Sequence, residues 1–282
     1  MNWSYKINNQ PKKIYQFFFD IYKYRSMFKQ LISRDLKVTF AQSFFGPLYF
    51  IFFPFIQAII FNFLLTNIAN LKSSSDVPNY LFYLSGFLFW NYFSTAATRS
   101  SAGILLNIKI IQQIAIPRVI FLLTPIVYSL INFFVTFFIF ITFNILYSLY
   151  FDFAFNFSIK FLIILPLILY CFILAFIYGL IVSALSIKFR DIIYANQLIF
   201  QTIMIGSCVL YSADQLYKIN FSWILYLNPF ILVTESFRWA LFNSSFNLEI
   251  IHIVSQITIV ILSILFGVNY FLNNERKMVD LV

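Results

Sequence analysis

The sequence predicts an all-α polytopic membrane protein with six transmembrane helices, an N-terminal amphipathic interface helix, and short re-entrant outer helices between spans five and six. Three observations carry this reading. Of the 282 residues 61% are hydrophobic and only 10% charged, against the roughly 25% charged residues of a soluble domain. The apolar residues gather in near-continuous runs, most of them near or above the roughly 20 residues a helix needs to cross the hydrocarbon core. Those runs lack the two-residue alternation of a barrel strand, so helices must satisfy the spanning backbone groups in lipid.

The chain divides into an interface helix (residues 1–40), a transmembrane domain (41–273) and a short tail (274–282). Wound at 3.6 residues per turn, residues 11–37 place Ile14, Phe17, Phe18, Ile21, Phe28, Ile32 and Leu36 on one stripe. Lys12, Lys13, Asp20, Lys23, Arg34 and Lys37 fall mainly opposite, while Arg25 interrupts the stripe and Lys29 borders it. A basic amphipathic helix of this kind lies in the membrane interface. Eight of the nineteen basic residues precede residue 38. In a membrane protein that surplus implies anionic head groups rather than nucleic acid. No apolar core followed by a cleavage site opens the chain, so no removable signal peptide is expected.

The six spans are expected at about 45–68, 80–98, 119–149, 160–187, 192–212 and 249–272. The third exceeds what a crossing requires and must tilt or project. Pro47 and Pro54 in the first, Pro125 in the third and Pro166 in the fourth should bend their helices. With both ends inside, fifteen basic residues lie on the cytoplasmic side and four outside, namely Lys72, Lys160, Lys218 and Arg238. That bias sets the orientation.

Residues 213–248 are apolar but broken by Asp214, Lys218, Glu235 and Arg238, and neither apolar piece is long enough to cross. Two short helices dipping into the outer leaflet are expected here, joined by a turn at Asn228-Pro229. Glu235 and Arg238, three apart, can pair on one helix face. A plain interfacial loop is the alternative.

Little in the chain suggests catalysis. There is no G-x-x-x-x-G-K-[ST], so ATP is not bound here through a P-loop. No His, Cys and carboxylate cluster has metal spacing, and the only histidine, His252, opens the last apolar run. Cys171 and Cys208 read as small core residues. The spans offer amides in place of the charges that ion-coupled transporters place at membrane depth: Asn132, Asn144, Asn196, Gln197 and Gln201. Gln197 and Gln201 share a face, which suits either a hydrated path or bonding between packed helices. The stretch TRSSAGILLNIKIIQQIAIPR, which contains Arg99, Asn107, Lys109, Pro117 and Arg118, mixes polar and apolar residues on the cytoplasmic side. It suits a short helix docked on a partner, or a connector with none. Forty Phe, eighteen Tyr and four Trp suit stacking on sugar rings, but biased genome composition produces the same excess.

Several motifs, taken in order, carry a resemblance. They are RDLKVTFAQSFFGPLYFIFFP (Arg34 to Pro54), GFLFWNYF with Gly86, Trp90 and Phe93, and NIKIIQQIAIPR with Asn107, Pro117 and Arg118. FRDI (Phe189 to Ile192), LNP (Leu227 to Pro229), FRWAL with Arg238 and the tail ERKMVDLV follow. Nearly the whole chain resembles the ABC-2 type permeases that export O-antigen, capsule or teichoic-acid polymers. Phe40, Gln113 and Ile116 depart from the residues usual in that family.

The resemblance implies a homodimer over two copies of a separate ATPase, which would bind ATP and Mg²⁺; this chain would hold no cofactor. The substrate would be an undecaprenyl-diphosphate-linked glycan, moved across the bacterial cytoplasmic membrane. Arg99, Asn107, Lys109, Pro117, Arg118, Arg190 and Asp191 would form the coupling element. Lys23, Arg25, Lys29, Arg34 and Asp35 would belong to the interface helix, and Trp223, Asn228, Pro229, Glu235 and Arg238 to an outer gate. An ABC-2 permease for a drug or another lipid, and an ATP-independent lipid-linked sugar flippase, are the alternatives. A membrane-bound transferase would need paired carboxylates, and only isolated ones such as Asp152 and Asp191 are present.

Overall fold

A computed structural model describes residues 22–41, 48–68, 77–114, 116–150 and 158–275. The first half of the expected interface helix, Gly46, Pro47 and the tail from Arg276 lie outside the described residues. Among the described residues all regular structure is helical, with no strand.

In chain order come α1 (Arg25–Ala41), α2 (Leu48–Asn62, continued by a π-turn over Phe63–Ile68) and α3 (Asn79–Leu106). After them come α4 (Ile108–Gln113), α5 (Val119–Tyr150), α6 (Ile164–Lys188, led in by a 3-10 turn over Ile159–Ile163) and α7 (Asp191–Ile205). Three short helices, α8 (Ala213–Lys218), α9 (Trp223–Leu227) and α10 (Phe230–Phe242), precede α11 (Ile250–Glu275). By length and composition, Val119–Tyr150, Ile159–Lys188 and Ile250–Asn274 can each cross a membrane.

Helix α3 is the axis of the bundle, packed against α6, α5, α2, α7 and α10. It is less apolar than α5 or α6 because protein, rather than lipid, surrounds most of it. Ala96, Ala97 and Ser100 are wholly buried, and small side chains let neighbouring backbones approach closely. A Cβ on Gly103 would collide with the Phe121 carbonyl, and one on Gly179 with the Ser100 side chain. The Ser100 hydroxyl donates to the Leu122 carbonyl of α5 at 3.0 Å. Further along α3 the contacts become aromatic. Phe89 meets Phe237 edge-on at 4.6 Å and Phe133 at 5.0 Å, and Trp90 meets Phe230 at 5.1 Å. These rings are occupied with one another and form part of the core rather than a surface for sugar.

Two clusters mark opposite ends. Ile104, Val119, Ala184 and Phe271 pack together, which brings the last turns of α3, α6 and α11 to the first turn of α5. Cys208, Ala213, Leu225, Ile231 and Leu248 pack at the other end, beside the start of α11. The long helices therefore run alternately up and down, and α1 lies across the first end against α5.

Several sequence expectations are refined. Helix α1 turns Leu31 into the bundle, with Tyr24, Met27 and Phe28 beside it, whereas Ile32 and Leu36 are only half-buried. Its apolar residues thus serve two adjoining faces, one protein-facing and one not. Helix α7 stops at Ile205, about 22 Å long at 1.5 Å per residue, where a span to residue 212 was expected. A turn over Gly206, Ser207 and Cys208, the last at φ 53°, ends it. Three helices rather than two fill 213–242, with Asn228-Pro229 between α9 and α10 as expected. Pro54 and Pro125 lie inside α2 and α5. Pro166 falls in the first turn of α6, where a missing N–H costs least.

Close approach at α3 gives the first prediction. Gly103→Ala should destabilise the chain by about 1–3 kcal/mol, as overpacking does, because backbone rather than a movable side chain blocks the new methyl. Gly206→Ala, whose Cβ would meet nothing nearer than 3.7 Å, should be near neutral. Thermal unfolding of both variants in detergent checks the contrast.

Candidate functional site

The resemblance-derived residues separate into two constructions, one at each end of α3. At the α1 end, Asn107 breaks the helix, with φ −114° and ψ 18°. Its side-chain amide donates back to the Gly103 carbonyl at 2.8 Å, satisfying an acceptor that the helix end leaves free. Its own carbonyl accepts from the Ile110 and Ile111 N–H groups at 3.0 Å and so starts α4. Arg34 of α1 donates to Asn107 Oδ1 at 3.0 Å and to the neighbouring Asp35 carboxylate at 2.8 Å. One side chain therefore joins α3, α4 and α1. The joint is backed by apolar packing of Ile110 and Ile111 with Met27, Phe28 and Leu31.

Lys109 is exposed on α4. Pro117 is buried and accepts from the Ile120 N–H at 3.1 Å, making the turn that enters α5, with Arg118 half-buried in that turn. Lys23, Arg25 and Lys29 stand exposed on α1 and its approach. Arg190 and Asp191 are exposed at the start of α7. Arg99 lies two turns before the end of α3, its guanidinium 4.5 Å over the Tyr128 ring.

At the opposite end Arg238 is buried, its side chain 3% exposed and that of Glu235 4%. Arginine keeps its charge in proteins, so this charge must be met by polar groups. Its Nη1 donates to the Cys208 carbonyl at 2.7 Å and the Tyr211 carbonyl at 3.2 Å. Its Nη2 donates to Val209 at 2.7 Å and Phe82 at 3.4 Å, and the guanidinium lies 3.5 Å over the Phe82 ring. Glu235 sits 3.7 Å from Arg238 Nη1 and accepts from the Ala213 N–H at 3.1 Å. The pair expected at i,i+3 thus exists, but its main work is to bind the backbone between α7 and α8.

Two neighbours extend the clamp. Asn228 donates to the Gly206 carbonyl and to Ser207 Oγ at 2.8 and 2.9 Å, and caps α10 by accepting from the Phe230 N–H. Thr234 donates to the Ser207 carbonyl. Gly86 leaves the room, since a Cβ there would lie 2.8 Å from Arg238 Nη2. Pro229 begins α10, and Trp223 is exposed and takes no part in the clamp. Sequence reasoning missed Gly86, Ser207 and Thr234 as clamp residues. The only signal was Gly86 opening the GFLFWNYF motif, with nothing to say which side chain it admits.

Between the two ends, Tyr178 donates to Asn196 at 2.7 Å and Asn196 to Ser101 at 2.8 Å, tying α6, α7 and α3. Gln197 and Gln201 point elsewhere and are exposed. Among the described residues no group of three or more His, Cys, Asp or Glu is placed to hold a metal.

Arg238→Gln should cost about 3–5 kcal/mol, the price of breaking a buried ion pair, and Arg238→Lys should recover part of the loss. Trp223→Ala should leave stability within about 0.5 kcal/mol, as surface changes do. Unfolding midpoints in detergent compare the three.

Residues 26–242 match the family model described as ABC-2 type transporter. Over 225 residues the chain is 28% identical to the O-antigen export system permease protein RfbA of Klebsiella pneumoniae, covering 79% of this chain and 83% of that one. A second Klebsiella pneumoniae protein of the same name is 26% identical over the same shares. The Myxococcus xanthus protein so named is 25% identical over 115 residues, 40% of this chain and 43% of its own. The match spans α1 to the end of α10 and takes in both constructions, and with it the chain belongs to the ABC-2 type transporter family of multi-pass membrane proteins.

Proposed function

We propose that this chain is the transmembrane permease subunit of an exporter for lipid-linked polysaccharide of the O-antigen, capsule or teichoic-acid type. The carrying observation is its likeness, over 79% of its length, to a protein named as an O-antigen export permease. In this reading α2, α3, α5, α6, α7 and α11 are the six spans of the bacterial cytoplasmic membrane. Both termini are cytoplasmic, and α8 to α10 form the re-entrant outer segment and gate.

Energy comes from two copies of a separate ATPase that bind ATP and Mg²⁺. The joint of α1, Asn107 and α4 supports α4 as its docking element, because a push on α4 meets a helix bonded to both α3 and α1. Exposed Tyr194 (82%) and Leu198 (69%) share a strip of α7 with Gln197 and Gln201. Such a strip suits a second copy and a hydrated path better than lipid, which penalises unpaired amides. The substrate is the glycan of an undecaprenyl-diphosphate-type lipid.

The test is co-purification with the ATPase encoded beside this chain, in lipid nanodiscs, followed by ATP hydrolysis with and without lipid-linked glycan. A two-plus-two complex whose hydrolysis responds to glycan is expected. Asn107→Ala should keep the complex but lower the glycan-stimulated rate several-fold. If no ATPase associates and the chain alone moves lipid-linked sugar without ATP, it is a flippase and the proposal fails.

A further inference from the structure

Helices α1, α2, α3 and α5 enclose a cleft of about 350 Å³ that belongs to neither the joint nor the clamp. It falls within the range of small-molecule sites. Its α3 wall carries Asn91, Thr95 and Arg99, spaced four apart and so about 6 Å per step along one face. Its α5 wall carries Ser129, Asn132 and Thr136. The cleft is graded along its length. Arg99 and Tyr128 stand toward the α1 end, amides and hydroxyls follow, and Leu88 and Phe133 line the apolar remainder with Phe53 of α2.

Several polar groups here are bonded within the protein, Asn91 to Gln57 and Tyr128 to Thr39 among them. Among the described residues the Tyr92 and Ser129 hydroxyls, sealed in the cleft wall, have no hydrogen-bond partner. Buried polar groups without partners are few in native proteins and call for a cause. Among the described residues no carboxylate pairs with Arg99, and no acidic residue lines the cleft. The Arg99 guanidinium carbon stands 4.5 Å from the centre of the Tyr128 ring, and its N–H groups suit a planar or tetrahedral anion. A ligand matching this gradient has a phosphate at one end, ester or hydroxyl oxygens next, and a hydrocarbon chain beyond.

We propose that this cleft binds the phosphate head group of a membrane lipid, with Arg99 holding the phosphate. Asn132 and Thr95 bond oxygens of the phosphate or just below it, and Phe53, Leu88 and Phe133 take the first part of the chain. The site is sized for a head group and not for a polymer. It rests on the cleft alone and is independent of what the transporter exports. Two lipids share the phosphate and the hydrocarbon chain, a glycerophospholipid and a polyprenyl phosphate, and only the first carries ester oxygens between them. The site also adjoins the interface helix, because Tyr128 Oη donates to Thr39 of α1 at 3.0 Å.

Native mass spectrometry of the delipidated full-length chain, titrated with phosphatidylglycerol, undecaprenyl phosphate or diacylglycerol, tests the assignment. At least one phosphate lipid should be retained at one per chain, and diacylglycerol, with similar tails and no phosphate, should not. Arg99→Gln should weaken retention by at least about tenfold, as loss of a charged hydrogen-bonding group does. Lys218→Gln, at the other end of the bundle, should leave it unchanged. Preference for phosphatidylglycerol identifies a resident structural lipid, and preference for undecaprenyl phosphate a site for the lipid end of cargo; both support the proposal. Equal retention of diacylglycerol overturns it, as does an Arg99→Gln variant that melts like wild type and still binds. If Arg99→Gln fails to fold, the comparison of lipids on the wild-type chain decides alone.

Discussion

A chain that turns inside an apolar bundle leaves carbonyl oxygens with no solvent to meet them, and Arg238 is what satisfies them here. Helix α7 stops at Ile205, and the chain turns through Cys208 before α8 begins. In water the exposed carbonyls of that turn would find solvent; in a membrane protein they must be met from within. A guanidinium is suited to this, because its fork of donors is fixed and its charge permanent. One residue thereby reaches Cys208, Val209, Tyr211 and the start of α3 at Phe82. Glu235 balances the charge and takes the first N–H of α8. Remove the arginine, and four carbonyls and a carboxylate are left buried together.

Asn107 answers the same constraint at the other end with a neutral side chain. There the break lies near the surface, so a single amide suffices to cap α3 while its oxygen takes a bond from Arg34. The two solutions differ as their surroundings do. A buried break needs several donors and a counter-charge, whereas a half-exposed one needs one of each and leaves the rest to solvent.

Long apolar elements were the most legible in the sequence. The ends of α5, α6 and α11 fall within about four residues of the hydropathy boundaries, because lipid-facing helices announce their length through composition. Helix α7 was less legible. Its apolar run continues past Ile205 through Cys208, Val209 and Leu210, and only the tertiary bonds of Arg238 and Asn228 show that this stretch is turn. The Glu235–Arg238 pairing could be read from spacing, but its role as a backbone clamp could not, since its partners lie about 30 and 156 residues away. Helix α1 was half legible. Its stripe was drawn through Ile32 and Leu36, whereas packing on α5 and α4 selects Leu31, and a moment computed from sequence cannot tell which of two adjoining apolar faces meets protein.

Helix α3 draws these features together. It carries Gly86 beneath Arg238, Asn91, Thr95 and Arg99 along the cleft, Gly103 under α5, and Asn107 at the joint. Its polar content keeps it out of the helices long and apolar enough to cross a membrane, and the same content makes it the element on which both constructions and the cleft depend. A helix buried on most sides gains little from further apolar surface, because lipid is not its solvent. It gains from small residues that admit neighbours and from polar residues that bond them. In such a protein, the helix that looks least like a membrane span is therefore the one most worth reading for function.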